Sequence, residues 1–169
     1  EKGRVHLDGF LSYPSAVYTV PYGVMVPKEV DNLLLPVPVS GSHIGFSTLR
    51  MEPCWMAMGQ AAGIASALSI DGKVKVQNID LSRLQDKLID QKATLMYFKD
   101  VDYTSPHFRM VQYLGLRGYL PEWTARLQEP VDATTLAAWK KLSGTDLPGI
   151  EAGKTTRLAT LEMIYRKIK

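Results

Sequence analysis

Residues 40–63 read SGSHIGFSTLRMEPCWMAMGQAAG, and they contain the strongest local signal in the chain. Small, flexible residues over Ser40–Gly45 are typical of a loop, and Glu52-Pro53 is a plausible helix start. Nothing from Pro53 to Ile70 breaks a helix. Small residues recur along this segment at spacings of three and four, so one face of the predicted helix is nearly flat. Those small residues are Gly59, Ala62, Gly63 and Ser66.

The segment upstream of this loop carries a strand-like composition. Residues 17–26 are rich in β-branched and aromatic side chains, which predicts short extended pieces. The apolar run Asn32–Leu35 predicts a short buried strand. Pro36 and Pro38 end any ladder because neither can donate a backbone hydrogen bond. We therefore expect an α+β, helix-dominated fold, with short strands and loops, then a long helix, then a small α-helical module.

Helix signals continue downstream of the long helix. Asp71-Gly72 predicts its stop, and Asp80 or Asn78 can cap a second helix that runs to Ala93. The character of the sequence changes between residues 94 and 102, which suggests two units, 1–95 and 96–169. Three helices are predicted in the second unit, over 106–117, 133–142 and 155–168, with Gly118 as a C-cap and with Asp132 or Thr134, then Thr155 or Thr156, as N-caps.

Composition excludes several classes of protein. The formal net charge is +3 and the basic residues are scattered, which argues against nucleic-acid binding. Cys54 is the only cysteine, so neither an internal disulfide nor a zinc site built from thiolates alone is possible. No apolar run approaches the roughly 20 residues of a membrane span. The compartment stays unknown, and because the chain begins at Glu1 we expect an expressed domain or a proteolytic remnant.

The loop at Ser40–Gly45 and the following helix start suit an electron-rich ligand. Backbone amides at a helix N-terminus and in a Gly/Ser loop attract anions or carbonyl oxygens. Arg50 adds fixed positive charge beside them. This chemistry suits the phosphate of a cofactor or the pyrimidine edge of a flavin, but many structural loops look the same.

Three ordered motifs resemble the C-terminal segment of FAD-dependent oxidoreductases. Residues 20–34, VPYGVMVPKEVDNLL, resemble the family segment that returns to the FAD-binding domain. Residues 40–53 resemble its Ser-Ala-Ser-His loop and Ile-Arg-Met-Glu-Pro helix start, and residues 58–63 its Leu-Gly-Gln-Ala-Ala-Gly helix. Pro36-Val37-Pro38 replaces the Gly-Arg pair of many relatives, which favours the subgroup named for xanthan lyase.

The resemblance implies roles for individual residues. It implies that Ser40, Ser42, His43, Arg50 and Met51 lie against the flavin, and that Gly59 and Gly63 let the helix pack closely on a dinucleotide-binding domain. His43 is the catalytic candidate, as a proton donor or as a hydrogen-bond donor to the flavin edge. Its alternative is a loop histidine satisfied by a backbone carbonyl. For Arg50 the alternative is a structural ion pair with Glu52.

The chain contains no G-x-G-x-x-G fingerprint, which would cradle the pyrophosphate of FAD. The implied cofactor of the parent protein is FAD, and the implied partner is a missing N-terminal dinucleotide-binding domain. We expect this chain alone to bind FAD weakly or not at all and to be inactive. The substrate of the parent enzyme is an unidentified organic compound or carbohydrate.

Other candidate chemical groups have structural interpretations. Cys54 is predicted to be a small buried residue rather than a nucleophile, because no histidine is close in sequence. His6 and His107 lack partners at metal-ligand spacing, so no metal site is predicted.

The second unit resembles an S-layer homology repeat at Phe98-Lys99-Asp100-Val101 and at Thr155-Thr156-Arg157-Leu158. This resemblance leaves open an alternative function, a carbohydrate or cell-wall binding module, in which Trp123 and Trp139 stack on sugars. A polysaccharide lyase is a third alternative, although no cluster of Tyr, His and Arg requires it. Five apolar residues are predicted to form a helical core: Leu114, Leu136, Trp139, Leu161 and Ile164.

Overall fold

The computed structural model describes residue 14 and residues 16–169 of the chain. These residues form six α-helices: α1 (His43–Leu49), α2 (Glu52–Gly72), α3 (Leu81–Asp90), α4 (Phe108–Gly115), α5 (Ala133–Ser143) and α6 (Arg157–Ile168). Two short 3₁₀ helices, Tyr22–Met25 and Val76–Asn78, lie before α1 and between α2 and α3.

The predicted α+β fold class is wrong, because the described part of the chain is all-α. Its one β-type pairing is an isolated bridge between Pro130 and Thr156. Residues 33–35 are irregular, and the Leu35 amide donates a single hydrogen bond of 2.8 Å to the Met25 carbonyl. A strand needs a continuous ladder with a neighbour, and Pro36 and Pro38, which follow this run, lack the amide hydrogens that would extend one.

The long helix α2 forms as predicted and ends later than predicted. Pro53 occupies its first turn, where a missing amide hydrogen has no cost. The helix continues through Asp71 and ends at Gly72, and its C-cap Lys73 adopts a left-handed conformation with φ of 50°. The Val74 amide then bonds to the Ser69 carbonyl, so this turn satisfies carbonyls at the helix end.

Helix α3 confirms Asp80 as its N-cap. The Asp80 carboxylate accepts hydrogen bonds from the backbone amides of Ser82 and Arg83. The helix ends at Asp90, three residues before the predicted end, because Lys92 turns into the left-handed region with φ of 65°. Leu84 and Leu88 pack with Ala65 and Leu68 of α2 to form one of two small apolar clusters in this part of the chain.

Helices α4, α5 and α6 surround a larger core. Asp132 and Thr156 cap α5 and α6, as predicted, and Gly144 ends α5 with φ of 61°. The five residues predicted for the core are all buried. They belong to a cluster of sixteen buried residues: Phe98, Val101, Met110, Val111, Tyr113, Leu114, Tyr119, Leu120, Ala125, Leu127, Val131, Leu136, Trp139, Leu147, Leu161 and Ile164.

Polar contacts tie this helical region to α3. The fully buried Gln112 side chain accepts hydrogen bonds from the Leu95 and Met96 amides at 2.8 Å and donates one to the Met96 carbonyl at 2.7 Å. Lys169 binds the Asp86 carboxylate at 2.6 and 2.7 Å. The stretch that joins the two regions is therefore held in place by a buried amide and by an ion pair.

Candidate functional site

The Ser-Gly-Ser segment, predicted to be a loop, leads into a short helix that sequence reasoning missed. Ser42 is the N-cap of α1, and its hydroxyl accepts a hydrogen bond from the Gly45 amide at 3.1 Å. The signal for this helix was present, since Ser is a preferred N-cap residue. Glycines at positions 41 and 45 concealed it because they lower helix propensity.

His43 is the first residue of α1 and its side chain is exposed. Its backbone carbonyl accepts a hydrogen bond from the Ser47 hydroxyl at 3.0 Å. Among the described residues the imidazole ring makes no hydrogen bond, so no described backbone carbonyl satisfies it.

Arg50 and Met51 lie at the junction of α1 and α2. Arg50 is the C-cap of α1, its amide bonds to the Phe46 carbonyl at 2.9 Å, and its side chain is exposed. No ion pair joins Arg50 to Glu52 in the described part of the chain. Met51 is the N-cap of α2 and is also exposed, while its carbonyl accepts the Cys54 and Trp55 amides.

The predicted cofactor residues are all exposed and belong to one short stretch of the chain. Ser40, Ser42, His43, Arg50 and Met51 lie on α1 or at its two ends, and all five are exposed. We call residues 40–53 the entrance edge. Hydroxyl, imidazole and guanidinium groups can all donate hydrogen bonds. The edge therefore offers donors to an electron-rich oxygen.

Two residues at the start of α2 disfavour a highly charged anion there. Glu52 places a carboxylate in the first turn of α2, and Pro53 removes one amide donor there. Both features weaken this helix start as a site for a doubly charged pyrophosphate. A neutral carbonyl edge, such as that of a flavin pyrimidine, fits these donors better than a phosphate does.

Helix α2 exposes an uncharged stripe along one side. No charged residue occurs from Pro53 to Ile70. Met56 is 76% exposed and Ile70 is 77% exposed. Three exposed residues lie between them at helical spacing, namely Gln60, Gly63 and Ala67. We call these five residues the α2 stripe.

The glycines of α2 are not required by contacts within the chain. A Cβ atom added at Gly59 or Gly63 would meet no atom within 4 Å outside the neighbouring backbone of α2. Their small size therefore leaves space that the described residues do not use.

A cavity of about 750 Å³ lies beside α2, and Gln60 of the α2 stripe is part of its lining. It is lined by the segment from Tyr18 to Tyr22, by Cys54 and Ala57 of α2, and by Leu84 and Leu88 of α3, among others. The Tyr18 hydroxyl donates a hydrogen bond to the Thr48 carbonyl at 3.2 Å. Burial raises the pKa of Tyr18, and the neighbouring Cys54 thiol adds to this rise. Sequence reasoning missed this cavity because no motif links Tyr18 to α2.

Cys54 is partly buried in the first turn of α2, so it is less enclosed than predicted. His107 lies 4.0 Å from a Glu162 carboxylate oxygen. His6 lies outside the described residues. Within residues 14 and 16–169, no group of three or more potential ligands is placed to hold a metal ion. In the same part of the chain, no helix has the length and apolar character to cross a bilayer.

Comparison with known proteins finds a family match for the first half of the chain. Residues 3–88 match the family described as FAD dependent oxidoreductase, which is just over half of the 169 residues. The match includes the entrance edge and the α2 stripe. No curated protein and no solved structure matches the chain.

Proposed function

We propose, for a chain that belongs to the FAD dependent oxidoreductase family, that residues 1–95 are the C-terminal segment of the FAD domain and form one side of its flavin pocket. A dinucleotide-binding domain supplies the other side and the pyrophosphate cradle. In the assembled enzyme, bound FAD would supply the redox chemistry toward an organic substrate, and the residues of this chain would help to orient it. The chain by itself binds FAD weakly or not at all and is inactive.

The α2 stripe is the observation that carries this proposal. A helix that is uncharged on every side is normally buried on every side. Here one side packs against α3 and the 20–35 segment, whereas Met56 and Ile70 are exposed. Gly59 and Gly63 would allow the backbone of a partner domain to approach α2 closely. The stripe is the surface expected where the missing domain packs.

The entrance edge supplies polar contacts in this proposal. Ser40 and Arg50 donate hydrogen bonds to the carbonyl edge of the ring, and Met51 packs against it. The Ser42 hydroxyl accepts from Gly45, so its remaining proton is free to be donated. His43 would offer a ring nitrogen as a proton donor or as a hydrogen-bond donor to the flavin edge.

The subgroup named for xanthan lyase is the proposed type of the parent, on the strength of Pro36-Val37-Pro38. The substrate is then an unidentified organic compound or carbohydrate. Residues 96–169 form a separate helical module in this proposal, with its own core.

Expression of the complete open reading frame that encodes this chain tests the proposal. The flavin content of the purified product is read from its absorbance near 450 nm and compared with that of residues 1–169 alone. Stoichiometric FAD in the complete product, with little in residues 1–169, would support the proposal. Stoichiometric FAD in residues 1–169 would show that the pocket is complete without a partner domain, and FAD in neither would refute the flavin function.

Two variants of the complete product test whether FAD retention depends on the entrance edge rather than on any exposed arginine. Arg50→Ala removes a proposed flavin contact, and Arg83→Ala removes an exposed arginine of α3 that faces no proposed contact. We expect the first variant to lose FAD on dilution about tenfold more readily, which is the loss of one hydrogen bond to a charged group. Equal retention by both variants would remove Arg50 from the site.

A further inference from the structure

The cavity of about 750 Å³ beside α2 lies where the long helix contributes only small side chains to the space between α2 and α3. Ala57 and Ala61 line it from α2, and Leu84 and Leu88 line it from α3. Farther along α2, Ala65 packs in one buried cluster with the same two leucines. An alanine methyl group fills little of the space between two helices. The helices therefore meet around Ala65 and leave a space beside Ala57.

Part of the cavity wall comes from residues beyond the family match, which ends at residue 88. Leu95 and Leu116 belong to this part of the wall. The Leu95 amide donates a hydrogen bond of 2.8 Å to the buried Gln112 side chain, and Leu116 is the C-cap of α4. A wall that is fixed before a ligand arrives loses less conformational entropy when the ligand binds. The cavity is therefore built from the family segment together with the region that follows it.

The lining of this cavity is uncharged. No Asp, Glu, Lys, Arg or His is among the described residues that line it, and most of them are apolar. A charged ligand that entered would lose its hydration without meeting an opposite charge in the lining, which costs free energy. The cavity therefore favours a neutral molecule.

The two tyrosine hydroxyls of the lining are bonded within the chain. Tyr18 donates to the Thr48 carbonyl at 3.2 Å, and Tyr22 donates to the Val76 carbonyl at 2.9 Å. These tyrosines therefore present mainly apolar ring surface to the cavity. Gln85 contributes an amide, which can donate to and accept from one polar group of a ligand. A largely apolar molecule with few polar groups matches such a lining, whereas a sugar with a hydroxyl on most of its carbons does not.

We propose that this cavity binds a small, neutral and largely apolar organic molecule. Its volume lies within the range of about 300–1,000 Å³ that is typical of small-molecule pockets. Tyr18 and Leu81 of its lining are 45% and 47% exposed, which leaves an opening to solvent. The competing occupant is an apolar side chain of a partner domain. This site does not depend on the proposed flavin function.

Two dyes that differ by one sulfonate group test the proposal by fluorescence titration. N-phenylnaphthylamine is neutral, and anilinonaphthalenesulfonate is the same ring system with a negative charge. Both emit more strongly in apolar surroundings. We expect one equivalent of the neutral dye to bind the full chain saturably, at least about tenfold more tightly than the anionic dye, because the lining offers no cation. The product of the complete open reading frame should bind the neutral dye in the same way.

Matched variants of the full chain locate the bound dye. Ala57→Trp fills the cavity from α2 and should weaken binding of the neutral dye about tenfold or more. Ala138→Trp places the same side chain on α5, outside the cavity, and should leave the affinity unchanged. Both alanines are exposed, and circular dichroism checks that both variants fold. Gln85→Lys adds a cation to the lining and should narrow the difference in affinity between the two dyes.

Three results would overturn the proposal. The first is that the neutral dye does not bind saturably, or binds no more tightly than the anionic dye. The second is that folded Ala57→Trp binds the neutral dye as tightly as Ala138→Trp does. The third is that residues 1–169 bind the neutral dye and the complete product does not, which would show that a partner domain fills the cavity. The FAD content of the complete product is read separately, so the flavin function can fail while this proposal stands.

Discussion

The C-terminal helical region and the α2–α3 region differ in how completely they bury their apolar residues. Sixteen residues form one buried cluster in the C-terminal region, whereas the described part of the α2–α3 region has clusters of five and four. The α2–α3 region also exposes Met56 and Ile70. The difference teaches that a hydrophobic sequence does not guarantee a closed core. The described part of the C-terminal region buries its apolar residues more completely than the described part of the α2–α3 region does.

Among the proposed variants, truncation of a buried aromatic residue of the C-terminal region should lower the free energy of unfolding most. Trp139→Ala removes a 2% exposed side chain, together with its hydrogen bond to the Tyr119 carbonyl. We expect the free energy of unfolding to fall by about 3–5 kcal/mol. Met56→Ala, in the α2 stripe, should change it by less than about 0.5 kcal/mol. Urea unfolding measures both, and similar losses in the two variants would break the comparison.

Removal of the buried Gln112 amide, which bonds to the segment between the two regions, should lower the free energy of unfolding by the next largest amount. Gln112→Ala leaves the Leu95 and Met96 amides and the Met96 carbonyl without their partner. We expect a loss of about 2–4 kcal/mol in unfolding free energy, because buried unsatisfied polar groups are costly. Gln128→Ala, at an exposed position, is the control for urea unfolding. A loss no larger than that of the control would mean that water replaces the Gln112 side chain.

Replacing a glycine by alanine should change the stability of the fold in opposite directions in the two regions. A Cβ at Gly115 of α4 would lie 3.0 and 3.2 Å from ring atoms of Phe98, so Gly115→Ala should destabilise the chain by about 1–2 kcal/mol. A Cβ at Gly63 of α2 would meet nothing, so Gly63→Ala should stabilise it by about 0.5–1 kcal/mol through helix propensity. Thermal unfolding of the two variants gives the signs. Destabilisation by Gly63→Ala would show that the chain itself packs on that face.

The smallest expected effect is a pH dependence at the start of α5. Hydrogen bonds from the Thr135 side chain and amide lower the pKa of Asp132 below its usual value. A lowered folded-state pKa stabilises the fold fully above the unfolded value near 3.9, and this stability is lost as pH falls through the folded pKa. Asp132→Asn should therefore flatten the fall in urea midpoint below about pH 4. Identical acid profiles for the two proteins would contradict this assignment.

Much of the helical structure was predictable because its determinants are local. Asp80, Asp132 and Thr156 each cap the helix that they were expected to cap. The spacing of apolar residues also identified Leu114 and Leu161 as core. Caps and helical periodicity act within one or two turns, so one sequence is enough to read them.

The failures concern features that depend on distant residues. Residues 32–35 have the composition of a strand, but a strand exists only when a neighbour pairs with it, and the described residues provide none. The side of α2 that is exposed was not predictable, since its sequence is uncharged all round. The entrance edge residues were predictable only by resemblance, because an exposed His43 or Arg50 leaves no periodic signal.

Cys54 gives the entrance edge a built-in reporter. It is the only cysteine of the chain, lies in the first turn of α2 and lines the cavity beside Tyr18. A thiol-reactive fluorophore would therefore attach at one position without mutagenesis, within one helical turn of Met51. Its emission would change with the polarity around that turn. A single labelled sample could then follow the approach of a partner domain in real time.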